Sequence, residues 1–142
     1  MDYIQRTFAQ AIRDKKDILF RRYNSLKNEI IAHCEIPLMK GFIVASEEDE
    51  FLRLKFPDLS YGVYAKPRIA FDNELQAGLR VNFFDANDNF VLGLLLHPNG
   101  YFVINPKSGG PYAPYEHDDE RLPSVLIHAL LTSAHGSGRI AL

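Results

Sequence analysis

The residues able to do chemistry are few and widely spaced. Cys34 is the only cysteine, and its sequence neighbour His33 is the nearest base. A nucleophilic thiol needs a base within hydrogen-bond reach. Adjacent helical residues point about 100° apart, so this pair does not read as a catalytic dyad, and Cys34 reads as a small buried hydrophobe at a helix end. No G-x-S-x-G elbow occurs. Of the five histidines, His128 and His135 are seven apart on roughly one helix face, with His117 ahead of them. Without a close histidine pair or a cysteine cluster, no metal site is expected. Ser108-Gly109-Gly110 offers backbone N–H groups to an anion, but no Lys-Ser/Thr pair follows and Pro111 removes a donor. It reads as a connector. The acidic runs 47–50 and 117–120 read as solvated turns, with Asp118 or Asp119 capping a helix. No cofactor follows from any of these features.

Two other constellations suit binding rather than catalysis. Arg13, Lys15, Lys16, Arg21 and Arg22 form a basic cluster, but Asp14 and Asp17 interleave it and Tyr23 is the one nearby ring. A stacking, groove-tracking nucleic-acid site needs more aromatic residues than that. Tyr112 and Tyr115 stand in a Gly/Pro-rich segment near Tyr101. Tyrosines on loops give large contact area at low entropy cost, or else cover the open edge of a core. A third constellation comes from the strands: Arg68, Arg80, Asn82 and His97 as polar groups, with Tyr61 and Tyr64 as walls, are candidates for a small-molecule pocket between sheet and helices.

Positioning these groups falls to elements the pattern makes visible. From Tyr3 to about Cys34 there is no Gly or Pro, and the apolar residues Ile4, Phe8, Ala11, Ile12, Ile18, Leu19, Tyr23, Leu26, Ile30 and Ile31 recur at steps of mostly three and four. That spacing predicts one long amphipathic helix buried along its stripe, capped by Asp2 and stopped by Pro37, with a break near Asp14–Asp17, where the stripe thins, as the alternative. Alternating runs then predict strands over 41–45, 51–56, 61–71, 79–84, 90–96 and 101–105. Pro67 argues for an edge position or a bulge in the third. The turn residues between the later runs, including Asn99-Gly100, permit only antiparallel neighbours. A second helix is expected to about Ala134, ended by Gly136, followed by a tail mobile at first from Ser137, with Ile140-Ala141-Leu142 able to dock. The fold class is therefore α+β: a long N-terminal helix, an antiparallel meander of about five or six strands, and a C-terminal helix packed on the sheet.

The whole is one domain of 142 residues, 46% hydrophobic and 24% charged. Net charge is −2, with +3 in residues 1–40 and −5 beyond, which gives nucleic acid no global attraction. Residues 1–6 lack a secretory pattern and the apolar runs are too short to span a bilayer, so a cytoplasmic, membrane-free setting is expected. The expectation for function is a non-enzymatic module that binds a protein partner, of the inhibitor or immunity kind, through Tyr101, Tyr112, Tyr115, Arg21 and Arg22. The alternative is a small-molecule-binding protein or small enzyme that uses the pocket between sheet and helices. A homodimer is left open.

Overall fold

The computed structural model describes residues 3–49, 51–106 and 112–140. The Asp2 cap, Glu50, the Ser108-Gly109-Gly110 connector and the last two residues lie outside them. Helix α1 (Tyr3–Cys34) is unbroken, and strands β1 (Val44–Glu48), β2 (Phe51–Phe56), β3 (Tyr61–Phe71), β4 (Ala77–Asp85), β5 (Phe90–Leu96), β6 (Tyr101–Pro106) and β7 (Tyr115–Glu116) follow, closed by helix α2 (Leu122–Gly136). The strands pair in chain order as one antiparallel sheet that curls into a half-barrel. The meander thus has six strands near the expected places, plus a two-residue seventh. Its first strand begins three residues later than the alternation suggested, so Glu47 and Glu48 belong to β1 and not to a turn.

One face of the sheet carries the core. Leu52, Leu54 and Phe56, Val63 and Ala65, Leu79, Val81 and Phe83, Leu92, Leu94 and Leu96, and Phe102 and Ile104 are buried with Leu19, Tyr23, Leu26 and Ile30 of α1 and Leu122, Leu126, Ala129 and Leu130 of α2. The register explains this: Ala65 faces Phe83, which faces Leu92, so same-parity positions stack across the strands.

Helix α1 buries only its second half. Ile4 is 60% and Ile18 37% exposed, whereas the buried positions begin at Leu19. A helix of 32 residues is about 48 Å long, while the nine residues of β4 reach about 30 Å. The helix outruns the sheet, and of its first turns Phe8 makes an edge contact with Phe71 at the end of β3.

Three hairpins use one solution. In the β3–β4, β4–β5 and β5–β6 connections the first residue donates its N–H to the carbonyl four positions on and accepts from the N–H three positions on, as with Asp85 to Asn89 and from Asp88. This is the three-residue loop whose last residue is left-handed. Those residues are Leu75 (φ 60°), Asp88 (φ 63°) and Gly100 (φ 95°). Asp72 and Asp85 reinforce their turns, each accepting two backbone N–H groups at Oδ1. Leu75 is the ill-suited member, a γ-branched side chain 41% exposed in a left-handed conformation. Leu75→Gly is expected to raise stability by about 0.5–1 kcal/mol, the relief of strain exceeding the entropy cost of glycine. Thermal denaturation checks it, and a loss of stability would show that Leu75 packs on its surroundings.

Pro67 sits in a strand with neighbours on both sides, against the expectation of an edge. The physical reason behind that expectation survives, because the pairs to β2 end at Leu52↔Ala65 and Pro67 faces only Val81 of β4. Locally, β3 is an edge there, and no ladder bond is lost on the open side. Residues 137–139 after α2 are anchored, not mobile. Gly138 (φ 78°) and Arg139 donate to the His135 and Ala134 carbonyls, a Schellman closure. The left-handed residue is therefore Gly138, not Gly136. Arg139 then reaches Asp85, with Nε 2.7 Å from Oδ2.

Candidate functional site

With the inner face filled by the helices, strand alternation sends the remaining side chains outward. On β2–β5 these are Phe51, Arg53 and Lys55; Tyr64, Lys66, Arg68 and Ala70; Gly78, Arg80, Asn82 and Phe84; and Phe90, Gly93 and Leu95. Five are cations and none is a carboxylate. Since the chain totals −2, removing those five leaves −7 for everything else. The charge asymmetry legible along the sequence is thus much sharper in space, because a sheet collects side chains from distant segments onto one surface.

The register arranges the outer face in rows. Arg53, Tyr64, Phe84 and Phe90 form an aromatic row. Tyr64 stacks on Phe84 with centroids 5.6 Å apart, Phe84 meets Phe90 edge-on at 6.2 Å, and Phe51 tilts toward Tyr64 at 6.5 Å. Lys66 Nζ lies 5.6 to 5.9 Å from the centres of Phe51, Tyr64 and Phe84, and Arg53 lies 5.7 Å from Tyr64. These cation–π contacts spread the ammonium over three rings. The Tyr64 hydroxyl donates to Asp88, and that bond raises its pKa. Arg53 pairs with Glu48 at 3.1 Å.

The next row is Lys66, Asn82, Gly93 and Asn105, in which Asn82 Oδ1 is covered, lacks a hydrogen-bond partner and lies over Gly93. The third is Arg68, Arg80, Leu95 and Val103. Arg68 and Arg80 are thus directly opposite, an arrangement of like charges that destabilises a sheet. Below them Ala70 and Gly78 leave a depression of about 240 Å³, walled by Arg68, Arg80, Leu95, His97, Pro98 and the Asp72 turn.

The structure brings together Arg68, Arg80 and His97 of the expected pocket, on the outer face and not between sheet and helices. Tyr64 and Asn82 stand on neighbouring rows of that face. Tyr61 goes elsewhere: it stacks on Phe56 and lines a second hollow with Asp85 and Arg139. Of the other candidates, Tyr101 is 39% exposed, while Tyr112 and Tyr115 are half-buried against the core. Arg121 lies over the Tyr115 ring at 5.6 Å. Arg22 packs on Gly100 in the β5–β6 turn beside Tyr101, whereas Arg21 lines an exposed polar hollow of α1 with Lys16 and Asn24. Residues 107–111 of the Gly/Pro segment lie outside the described residues.

Outward alternation alone would have marked Lys66, Phe84 and Phe90. Periodicity counted such phenylalanines as core because adjacent pairs such as Phe83-Phe84 fit either face.

The nucleophile and metal alternatives are also placed. Cys34 is buried, and burial followed by the charge of Glu35 pushes its thiol up to about 11, which leaves little thiolate at neutral pH. Asp119 accepts the Arg121 N–H and pairs with its guanidinium at 2.8 Å, which holds its carboxyl down to about 2. Among the described residues no group of three His, Cys, Asp or Glu is placed to hold a metal ion. No helix among them is long and apolar enough to cross a membrane.

Comparison with protein-family models, with curated proteins and with solved structures gives no match to this chain.

Proposed function

We propose that this protein is a binding module that docks an acidic surface of a protein partner on the outer face of its sheet, in the manner of an inhibitor or immunity protein acting in the cytoplasm. The observation that carries the reading is the outer face itself, with five cations and four aromatic residues across β2–β5 and Arg53 the only cation among them in an ion pair among the described residues. Aromatic residues and arginine are the enriched anchors of protein interfaces, and a single-sign patch steers association with an opposite one.

A protein fits this face better than single-stranded nucleic acid. Stacking of bases requires free ring faces, and here Tyr64 and Phe84 stack on each other while Lys66 covers them. Tyr101 and Arg22, adjacent at the β5–β6 turn, extend the contact to the sheet's end in this reading.

The test begins with capture of a partner from source lysate and titration of the purified pair by calorimetry. Lys66→Glu is expected to weaken binding at least tenfold, and wild-type affinity should fall as salt rises. Undiminished binding by Lys66→Glu together with loss in Arg21→Glu would move the interface to the solvent face of α1. Salt-sensitive binding of a labelled oligothymidylate, with no protein captured, would replace this reading with a nucleic-acid one.

A further inference from the structure

Independently of what the whole face docks, we propose that the depression between Arg68, Arg80 and His97 is a binding site for a small organic oxyanion, a carboxylate or phosphate carried on a compact apolar body. Arg68 and Arg80 are paired across β3 and β4, and neither makes a hydrogen bond or ion pair among the described residues. Two guanidiniums held opposite each other with no ion-pair partner among the described residues are an unsatisfied arrangement in the free protein. An oxyanion between them removes the repulsion and accepts their forked N–H donors in bidentate fashion.

The lining supplies the rest of the recognition. Ala70 and Gly78 leave the space, and Leu95 and Pro98 give it apolar sides. Gly78 is required by the backbone, since a Cβ there would lie 2.8 Å from the Leu96 carbonyl oxygen. Asp72 is the one acid in the lining, and its Oδ1 is occupied by the N–H groups of Glu74 and Gln76. With Arg68 and Arg80 against Asp72, the lining keeps one positive charge. His97 adds a ring to the lining beside Pro98. A volume of about 240 Å³ lies below the roughly 300 Å³ at which drug-sized ligands begin, so the ligand is small.

The test is a titration of the full ¹⁵N-labelled chain, followed by two-dimensional NMR at constant ionic strength, with inorganic phosphate, phenyl phosphate and benzoate in separate arms. The expected result is saturable shifts at the Gly78 amide and the Arg80 Nε–H, with at least one aromatic anion binding fivefold or more tightly than inorganic phosphate. Phenyl phosphate saturating alone assigns a phosphate ligand, and benzoate alone a carboxylate. Arg80→Gln should weaken binding at least tenfold while its Tm stays level or rises, because it also relieves the like-charge pair. Ala70→Leu, which fills the depression and keeps both arginines, should abolish binding, and Lys40→Gln, at an exposed cation ahead of β1, should not alter it. Shifts that grow linearly in every arm, or wild-type affinity in both Arg80→Gln and Ala70→Leu, would overturn the site. Since no protein partner enters this experiment, its failure leaves the docking reading untouched.

Discussion

Asp85→Ala is expected to lower stability by about 3 kcal/mol, the largest loss from any single side chain outside the apolar core. Asp85 is 4% exposed, and its two oxygens do different work. Oδ1 accepts the N–H groups of Asn87 and Asn89 and so shapes the β4–β5 turn. Oδ2 takes the Arg139 guanidinium and ties the C-terminal segment to the sheet. Alanine removes both, and leaves a largely covered arginine without its counter-charge.

The pH dependence follows from the same contacts. Burial raises the carboxyl pKa, but the Asn89 and Asn87 N–H groups and Arg139 outweigh it and hold the folded value below normal. A depressed folded pKa stabilises above the unfolded carboxylate's value of about 3.9 and is lost as pH falls through the folded one. The gap between wild type and Asp85→Ala should therefore be full near neutrality and should narrow below about pH 4. Asp85→Asn, which keeps an acceptor for the turn, should lose less. Urea unfolding between pH 3 and 7 measures all three proteins. A gap that does not change with pH would mean the ionised form contributes nothing beyond its shape.

Glu47→Ala is expected to cost about 2 kcal/mol, because it strands Lys27. That lysine is 5% exposed in the buried face of α1. Its ammonium donates to Glu47 Oε1 at 2.8 Å and lies 5.0 Å from the centre of the Tyr23 ring. The loss is smaller than that of a fully broken buried pair because the Glu47 side chain is 41% exposed and water reaches that end. Lys27→Met, which removes the charge and keeps the length, should be nearly neutral, and the double variant should recover most of the loss. A double-mutant cycle by urea denaturation reads the coupling. Equal losses from Lys27→Met and Glu47→Ala would instead show that the pair as such stabilises the fold.

Both residues show where reading along the chain runs out. The 47–50 run looked like a solvated turn because four acids in a row ordinarily face water. The partner that draws Glu47 into β1 stands 20 residues earlier, on a helix. Asp85 was legible as a turn residue from its Asp/Asn-rich surroundings, but its charge partner lies on a segment past α2 that carried no local signal of order. Ile4 and Ile18 fitted the helical stripe and are exposed, since periodicity reports which side of a helix is apolar and not how far the sheet beneath it extends.

For the candidate site, alternation put Arg68, Arg80 and Asn82 on strands. It did not say that Arg68 and Arg80 would be opposite each other, because that depends on the length and bulge of the hairpin joining them. Nor did it say which face of the sheet the helices would cover. Once they cover the inner face, the polar residues expected to line a pocket beneath them must stand on the outer one.

The two helices, the six longer strands, their order, the antiparallel meander and the stops at Pro37 and the hairpin turns are legible along the chain. All are local matters of period, left-handed backbone and missing N–H groups. Long-range packing sets which half of α1 is buried, which cations share a face, which two arginines confront each other and which acid holds the C-terminal segment. Each of these is a juxtaposition of residues far apart in the chain. Such juxtapositions are set by sheet register and helix placement, which minimise exposed apolar area over the whole molecule and leave no mark on any one segment.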